Sequence, residues 1–463
     1  MRESINKEFN LIMSFKIIIF LLIVLQGLIL NNTIMTFIGF IFIFFLEKRF
    51  LLSIILLTPI IETVLFVGDV ITITMIIAIF FGFYFLYVII KENAKIIDKR
   101  SSLLFAYLFI VIIGLFNAIA FGEFLPFINW NYKKILREHL ISFIPKILFT
   151  FLLYSYIKAK GYNYLRDNLR YACFLMTGAL IIISLYFITI GKDAIRWLNV
   201  SQRLTFIGAD PNEFASIFAA IGIFPLYLIL KGKTKAEVVI GIISTVLVYY
   251  SIFLTLSRGG TLTLIFSIIL TFIVFSKKNI KRICFVLSIG IIIIIILLNF
   301  EIIDFSPLYE RFFGEKVSDI SSLTNRRTDF WKSGIKAIKQ RPILGFGGSS
   351  SVSLWITFTT YGRSYVMHNL FMEILVQYGI LGLSVFLWLI VRILKDFKQL
   401  ISKLNKGQLK DDVFLIPFIS ALAMLFASLS LSWQWRELLW YFISICLGIG
   451  NLIQLHSKLL ENK

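Results

Sequence analysis

The sequence predicts an all-α polytopic membrane protein of about 12–14 transmembrane helices, with one large, partly helical loop on the outer side. Three observations predict it. Apolar runs close to the ~20 residues that one helical span requires recur along the whole chain. Hydrophobic residues make up 59% of the 463 and charged ones only 16%, with mean hydropathy +0.89; soluble domains carry about 25% charge. The connections between runs alternate between rich and poor in Lys and Arg, as cytoplasmic and outer loops do under the positive-inside rule.

Taken in order, candidate spans fall at 14–30, 33–46, 50–67, 70–90, 102–122, 140–157, 171–190, 213–230, 236–256, 260–275, 283–300, 369–391, 413–431 and 438–455. The first run lacks a small-residue cleavage site and further spans follow directly, so no cleavable signal peptide is expected. With the N-terminus in the cytoplasm, the basic connections 91–100, 158–170, 276–282 and 392–412 all face inward. The net charge of +20 is then mostly a cytoplasmic bias that meets anionic lipid headgroups, and no nucleic-acid partner is expected. Cys173, Cys284 and Cys446 all sit in apolar runs without metal or redox spacing, which argues against disulfides and metal ligation.

The early spans carry few polar residues. Glu62, after Pro59, is the exception, either a functional intramembrane carboxylate or a residue at the outer interface. The segment 123–139 mixes aromatic and basic residues and reads as an interfacial helix, with Trp130 and Tyr132 at headgroup depth and His139 at its end. Before the eighth span, Asp210-Pro211-Asn212-Glu213 forms a helix start. Asp210 suits the N-cap, Pro211 the first turn, and Glu213 a capping box. Arg203 precedes this start in an outer loop, as an interface anchor or a further anion contact.

The ninth span ends at Ser257-Arg258-Gly259-Gly260, where two glycines permit a tight reversal or a helix break. Arg258 is the only charge between Glu237 and Lys277. Such a cation costs a few kcal/mol at depth unless it meets an anion or water. It either binds an anion or snorkels to the outer surface.

The outer loop 301–368 holds nine Lys and Arg residues. Within it, 324–340 reads as one amphipathic helix stopped by Pro342, with Trp331, Gly334, Ile335 and Ile338 on one face. Arg327 projects onto that face and Arg326 away from it. The run Gly345-Phe346-Gly347-Gly348 and its serines lack the Lys-Ser/Thr of a phosphate loop and read as a flexible lid, or as backbone donors to sugar hydroxyls. His368 and Asn369 then open the twelfth span, with Glu373 and Gln377 on roughly the same side. A helix N-terminus holds a nearby histidine neutral, and a neutral imidazole can accept a proton from a hydroxyl. His456, near the cytoplasmic end, has no such company.

Two or three arginines beside one histidine suit a lipid-linked phosphate or diphosphate. Guanidinium groups hold its oxygens through charge-assisted bonds and stabilise charge on a departing diphosphate. SRGG at 257–260, NRRTDFWKSGIKAIKQRPILGFG, HNLFMEILVQYGILGL at 368–383 and, upstream, RLTFIGADPNEFAS at 203–216 together resemble the O-antigen ligase/polymerase family of bacterial envelope proteins. The resemblance covers about residues 200–390, and divides the chain into N-terminal helices (1–200), a catalytic region (201–391) and a C-terminal part (392–463).

The resemblance implies a GT-C-like, metal-independent, inverting glycosyltransferase without cofactor, in the bacterial cytoplasmic membrane with its site outside. Its donor and acceptor would be polyprenyl-diphosphate-linked oligosaccharides, and its partners a flippase and a chain-length regulator. By motif, Arg258 and Arg327 contact the diphosphate, with Arg203 added, and His368 activates or positions the acceptor hydroxyl. Asn369, Glu373 and Trp331 are candidate acceptor or sugar contacts. Fourteen spans exceed the twelve or so the family implies, and Arg326 competes with Arg327. Polymerisation of capsule or O-antigen repeats is favoured over ligation of finished chains. A flippase of the lipid-linked unit and a structural scaffold are the readings of another class.

Overall fold

The computed structural model describes residues 51–64, 73–122, 140, 143–194, 210–275, 306, 309, 327–348, 350–361, 366–432 and 437–461. The helices are α1 (Leu51–Val64), α2 (Ile73–Lys91), α3 (Ser101–Gly122), α4 (Ile144–Ala194), α5 (Pro211–Ile221), α6 (Ile223–Lys231) and α7 (Lys235–Leu254). They continue as α8 (Arg258–Phe275), α9 (Arg327–Ile338), α10 (Ser350–Tyr361), α11 (Leu370–Asn405), α12 (Leu415–Ala427) and α13 (Glu437–Glu461). No strand occurs among the described residues. Each expected span within them coincides with a helix, and seven helical stretches are long and apolar enough to cross a membrane. The protein is therefore an all-α polytopic membrane protein. The expected spans 14–30, 33–46 and 283–300 lie outside the described residues, as do Cys284 and the segment 123–139 with Trp130, Tyr132 and His139.

α4 is the hub, packed against α1, α2, α3, α7 and α13. It carries two expected spans joined at Gly161, whose φ of 82° is a left-handed value that glycine adopts without steric cost. The expected cytoplasmic loop 158–170 is thus helical, because both spans continue past the apolar limit into a polar turn. Tyr156 and Tyr164 touch across that turn, hydroxyl to hydroxyl at 2.9 Å. A buried aromatic cluster of Tyr107, Phe143, Tyr378, Phe386 and Trp440 ties α3, α11 and α13 to the N-terminal end of α4. Cys173 and Cys446 are buried, free thiols in these packed helices.

One end of the bundle is closed by ion pairs. Arg100 is 5% exposed and grips Asp396 with two parallel bonds, at 3.1 and 3.0 Å. Its remaining N–H groups reach Gln454 Oε1 at 3.1 Å and the Gly450 carbonyl at 2.9 Å. Arg392 shares the same carboxylate, at 2.8 Å. Next to it, Asp98 accepts from Lys158 at 2.8 Å, Tyr154 at 2.6 Å and Asn451 at 3.2 Å. Burial alone would raise the Asp98 pKa, but these bonds and two backbone N–H donors hold it below the carboxylate range. The described part of the expected loop 392–412 is helical to Asn405, since α11 runs on through this node.

A different device sits near the other end. α11 breaks at Gly379, with φ 65°, and a Cβ there would fall 2.1 Å from the Ile343 carbonyl oxygen. The break frees backbone groups that nothing else in a bilayer can satisfy. The 342–347 loop satisfies them. Phe346 and Gly347 donate to the Val376 and Gln377 carbonyls at 2.9 and 2.8 Å, while Ile380 and Leu381 donate to Pro342 and Ile343 at 2.8 and 3.3 Å. Asn117 of α3 donates to the Gly345 carbonyl at 2.9 Å. The expectation of a flexible lid is corrected: residues 345–348 are buried, their backbone is bonded into α11, and α10 follows where a loop was expected.

Candidate functional site

The end opposite the Arg100 node gathers the starts of α5, α8, α9 and α11. Asp210 is the N-cap of α5, accepting from the Asn212 N–H at 2.6 Å, with Pro211 in the first turn, as the sequence predicts. Ser257 caps α8. Its hydroxyl accepts from the Gly260 N–H at 3.1 Å and donates to Asn212 Oδ1 at 2.9 Å. The reversal before α8 is made by Leu256, at φ 50°, and not by the glycines, which lie inside α8. Gly260 instead permits close packing, since a Cβ would fall 2.2 Å from Ala215 Cβ. This contact locks the start of α8 onto α5, and Arg258, half-buried, follows Ser257 there.

α9 presents Arg327 to the same end. Its buried residues are Phe330, Ser333, Gly334 and Ala337. The expected face is therefore rotated: Ile335 is 49% exposed, because Gly334 and Ser333 give the closest approach to α11. Arg327 stays on the inward side, one turn ahead of Phe330. It is half-buried; burial pulls its pKa down and the Asp210 charge opposes that. Among the described residues none forms a salt bridge with its guanidinium. Arg326 and Arg203 lie outside the described residues, and nothing is described of the side chains of Glu62 and His456.

His368 stands at the turn into α11, in the left-handed region at φ 48°, where few non-glycine residues are found. Its ring lies 6.5 Å from that of Phe330. Burial, and then the Arg327 charge, lower its pKa from 6.5 to about 4, with Asp210 opposing. Both causes favour the neutral imidazole, and they are burial and the neighbouring guanidinium, not the helix start that the sequence reading invoked. No described residue hydrogen-bonds its ring nitrogens. Asp210, which the sequence reading treats only as a helix cap, thus faces both Arg327 and His368; the Asp-Pro-Asn start signals a cap and carries no sign of that second role.

Asn369 and Glu373 behave differently from candidate sugar contacts. Asn369 caps α11, with Oδ1 accepting from the Met372 N–H and Nδ2 donating to the Leu429 carbonyl, both at 3.0 Å. Glu373 is 1% exposed. Its carboxylate accepts from the Met367 N–H at 2.8 Å, the Ser432 hydroxyl at 3.0 Å, Gln377 Nε2 at 2.9 Å and the Ser353 hydroxyl. The Glu373 carboxylate thus has all its acceptor sites occupied within the protein, and Asn369 is buried at the head of α11. Trp331 is half-buried and donates from Nε1 to the Met367 carbonyl at 3.0 Å.

The geometry defines a multi-pass helical membrane protein in which Arg327, Asp210 and His368 lie close enough at one end to act on one another electrostatically. Residues 243–387 match the sequence model of a family described as O-antigen ligase, and this match supports the resemblance to the O-antigen ligase/polymerase family drawn from the sequence. The matched segment contains Arg258, Arg327 and His368; Arg203 and Asp210 precede it. No curated protein matches the chain.

Proposed function

We propose that this protein polymerises polyprenyl-diphosphate-linked oligosaccharide repeats into capsular or O-antigen polysaccharide at the outer face of the cytoplasmic membrane. The observation that carries the reading is the pairing of a half-buried Arg327, without a salt-bridge partner among the described residues, with a neutral His368. His368 takes the proton of an acceptor hydroxyl, whose oxygen attacks the anomeric carbon from the face opposite the diphosphate. The anomeric C–O bond to the diphosphate breaks with inversion, and the polyprenyl diphosphate leaves with the electron pair. Arg258 and Arg327 hold its oxygens, and their attraction grows as charge develops there. An unprotonated imidazole is required for the first step, and burial with the Arg327 charge favours that form of His368.

Reconstitution with a purified lipid-linked repeat unit tests the reading. Polymerisation releases polyprenyl diphosphate and lengthens the glycan on its lipid. Transfer of glycan only to a different acceptor, such as a lipid A core, would make the protein a ligase. Movement of unchanged lipid across the bilayer, without release of diphosphate, would make it a flippase and end the transferase reading.

A further inference from the structure

We infer that Glu373 is a positioning residue that aims His368, acting through the Met367 peptide. His368 has no hydrogen bond to its ring among the described residues, so its orientation is set by its backbone. That backbone is left-handed, a conformation that is strained outside glycine and persists only where its surroundings enforce it. The enforcement is visible on both sides. Ahead of His368, the Met367 N–H is held by Glu373 and the Met367 carbonyl by Trp331 Nε1. Behind it, Asn369 is fixed by its two amide bonds, and the Leu370 N–H donates to the Ser428 carbonyl at 2.9 Å.

Glu373 binds these parts together. An ionised carboxylate offers about four acceptor sites, and each Glu373 oxygen takes two donors. They come from α10 (Ser353), the segment before α11 (Met367), α11 itself (Gln377) and the segment after α12 (Ser432). No donor is cationic, and no site is left for substrate. A buried anion satisfied only by neutral donors loses much when one is removed. Its side chain therefore fixes the corner on which the imidazole stands, and the charged groups that face that imidazole are Arg327 from α9 and Asp210 from α5, with Arg258 at the start of α8.

The inference rests on the transferase reading for its consequence, but its test does not. Carbethoxylation of His368 with diethyl pyrocarbonate, in the full-length protein in membranes, reports the neutral imidazole directly. It is followed against pH by mass spectrometry of the His368 peptide. In the unaltered protein the inflection is expected near 4. Glu373→Ala should raise it by about one unit or more, as the imidazole moves into water. Glu373→Gln, which keeps an acceptor for the Met367 N–H, should restore most of the original profile. In the transfer assay Glu373→Ala should lower kcat about tenfold or more, with KM for the lipid donor within about twofold. Trp331→Phe keeps a ring but removes the donor to Met367, and carries the same test if Glu373→Ala fails to insert. An unchanged inflection and rate in Trp331→Phe and in the Glu373 variants that insert would overturn the inference. Full transfer by a His368→Ala protein would instead remove His368 from the transfer step and leave the carbethoxylation result standing.

Discussion

Two arginine-bearing clusters close the two ends of this helical bundle, and they are built on opposite principles. At one end Arg100 directs its guanidinium at a carboxylate, an amide and a carbonyl, and Asp396 takes a second arginine as well. At the other, Arg327 faces a histidine and meets Asp210 only through space. The first cluster has its charges matched within the protein and ties α3, α11 and α13 together. The second holds positive charge half-buried among apolar neighbours, beside two non-glycine residues in left-handed backbone, Leu256 and His368. Matched charge serves the fold; under the proposed function, the charge on Arg327 that no described residue pairs is what a ligand would complete.

The sharpest way to break this comparison is to truncate one arginine at each end. Arg327→Ala, Arg258→Ala and His368→Ala should each reduce polymer formation by about 10²–10³-fold, with unchanged protein in the membrane. Arg100→Ala should do the reverse. Removing one partner of a buried pair costs about 3–5 kcal/mol, so membrane abundance falls while activity per surviving molecule persists. Abundance by immunoblot and polymer length by gel separate the two. If Arg100→Ala abolished specific activity and left abundance intact, the division of labour would be wrong.

A pH series sharpens the same contrast with a smaller effect. The neutral form of His368 is the one that acts as base, and its pKa is lowered to about 4. Transfer should therefore stay level as pH falls through 6.5 and halve only near 4, measured as released polyprenyl diphosphate. The stability linked to His368 has the same sign. It is fully present above the unfolded value near 6.5 and is lost as pH falls toward 4, because the fold disfavours the proton. The smallest effects are expected at cations away from the inward face. Lys336→Ala should leave polymer length within about twofold, as an exposed charge does, and the helical periodicity of the sequence predicts the same for Arg326→Ala.

The membrane class and every described span were legible because a bilayer imposes a length and a hydropathy that sequence displays directly. Arg258 and His368 were legible for a related reason: a charge or an imidazole at the edge of an apolar run stands out. What could not be read was pairing across the chain. Nothing local in Glu373 says that its four donors come from four segments, nor in Gly345-Phe346-Gly347 that these residues fit a break thirty residues later in α11. Periodicity placed Arg327 inward, yet missed that Phe330 and Ala337 form the packed face, because the size of the facing surface, Gly334 against Met372 and Val376, decides the rotation. Ionic matching at Asp396 was equally hidden, since Arg100 lies nearly three hundred residues away.

The splice at Gly379 has a mechanical consequence. Because the strap between α9 and α10 shares its backbone bonds with the broken helix, the cation on α9 and the base at the head of α11 ride on one rigid frame, like two pins set in the same jig. Rocking of α11 within the bilayer carries both together and leaves the gap between them unchanged. α5 and α8 are joined separately, where Gly260 meets Ala215 without a side chain between them.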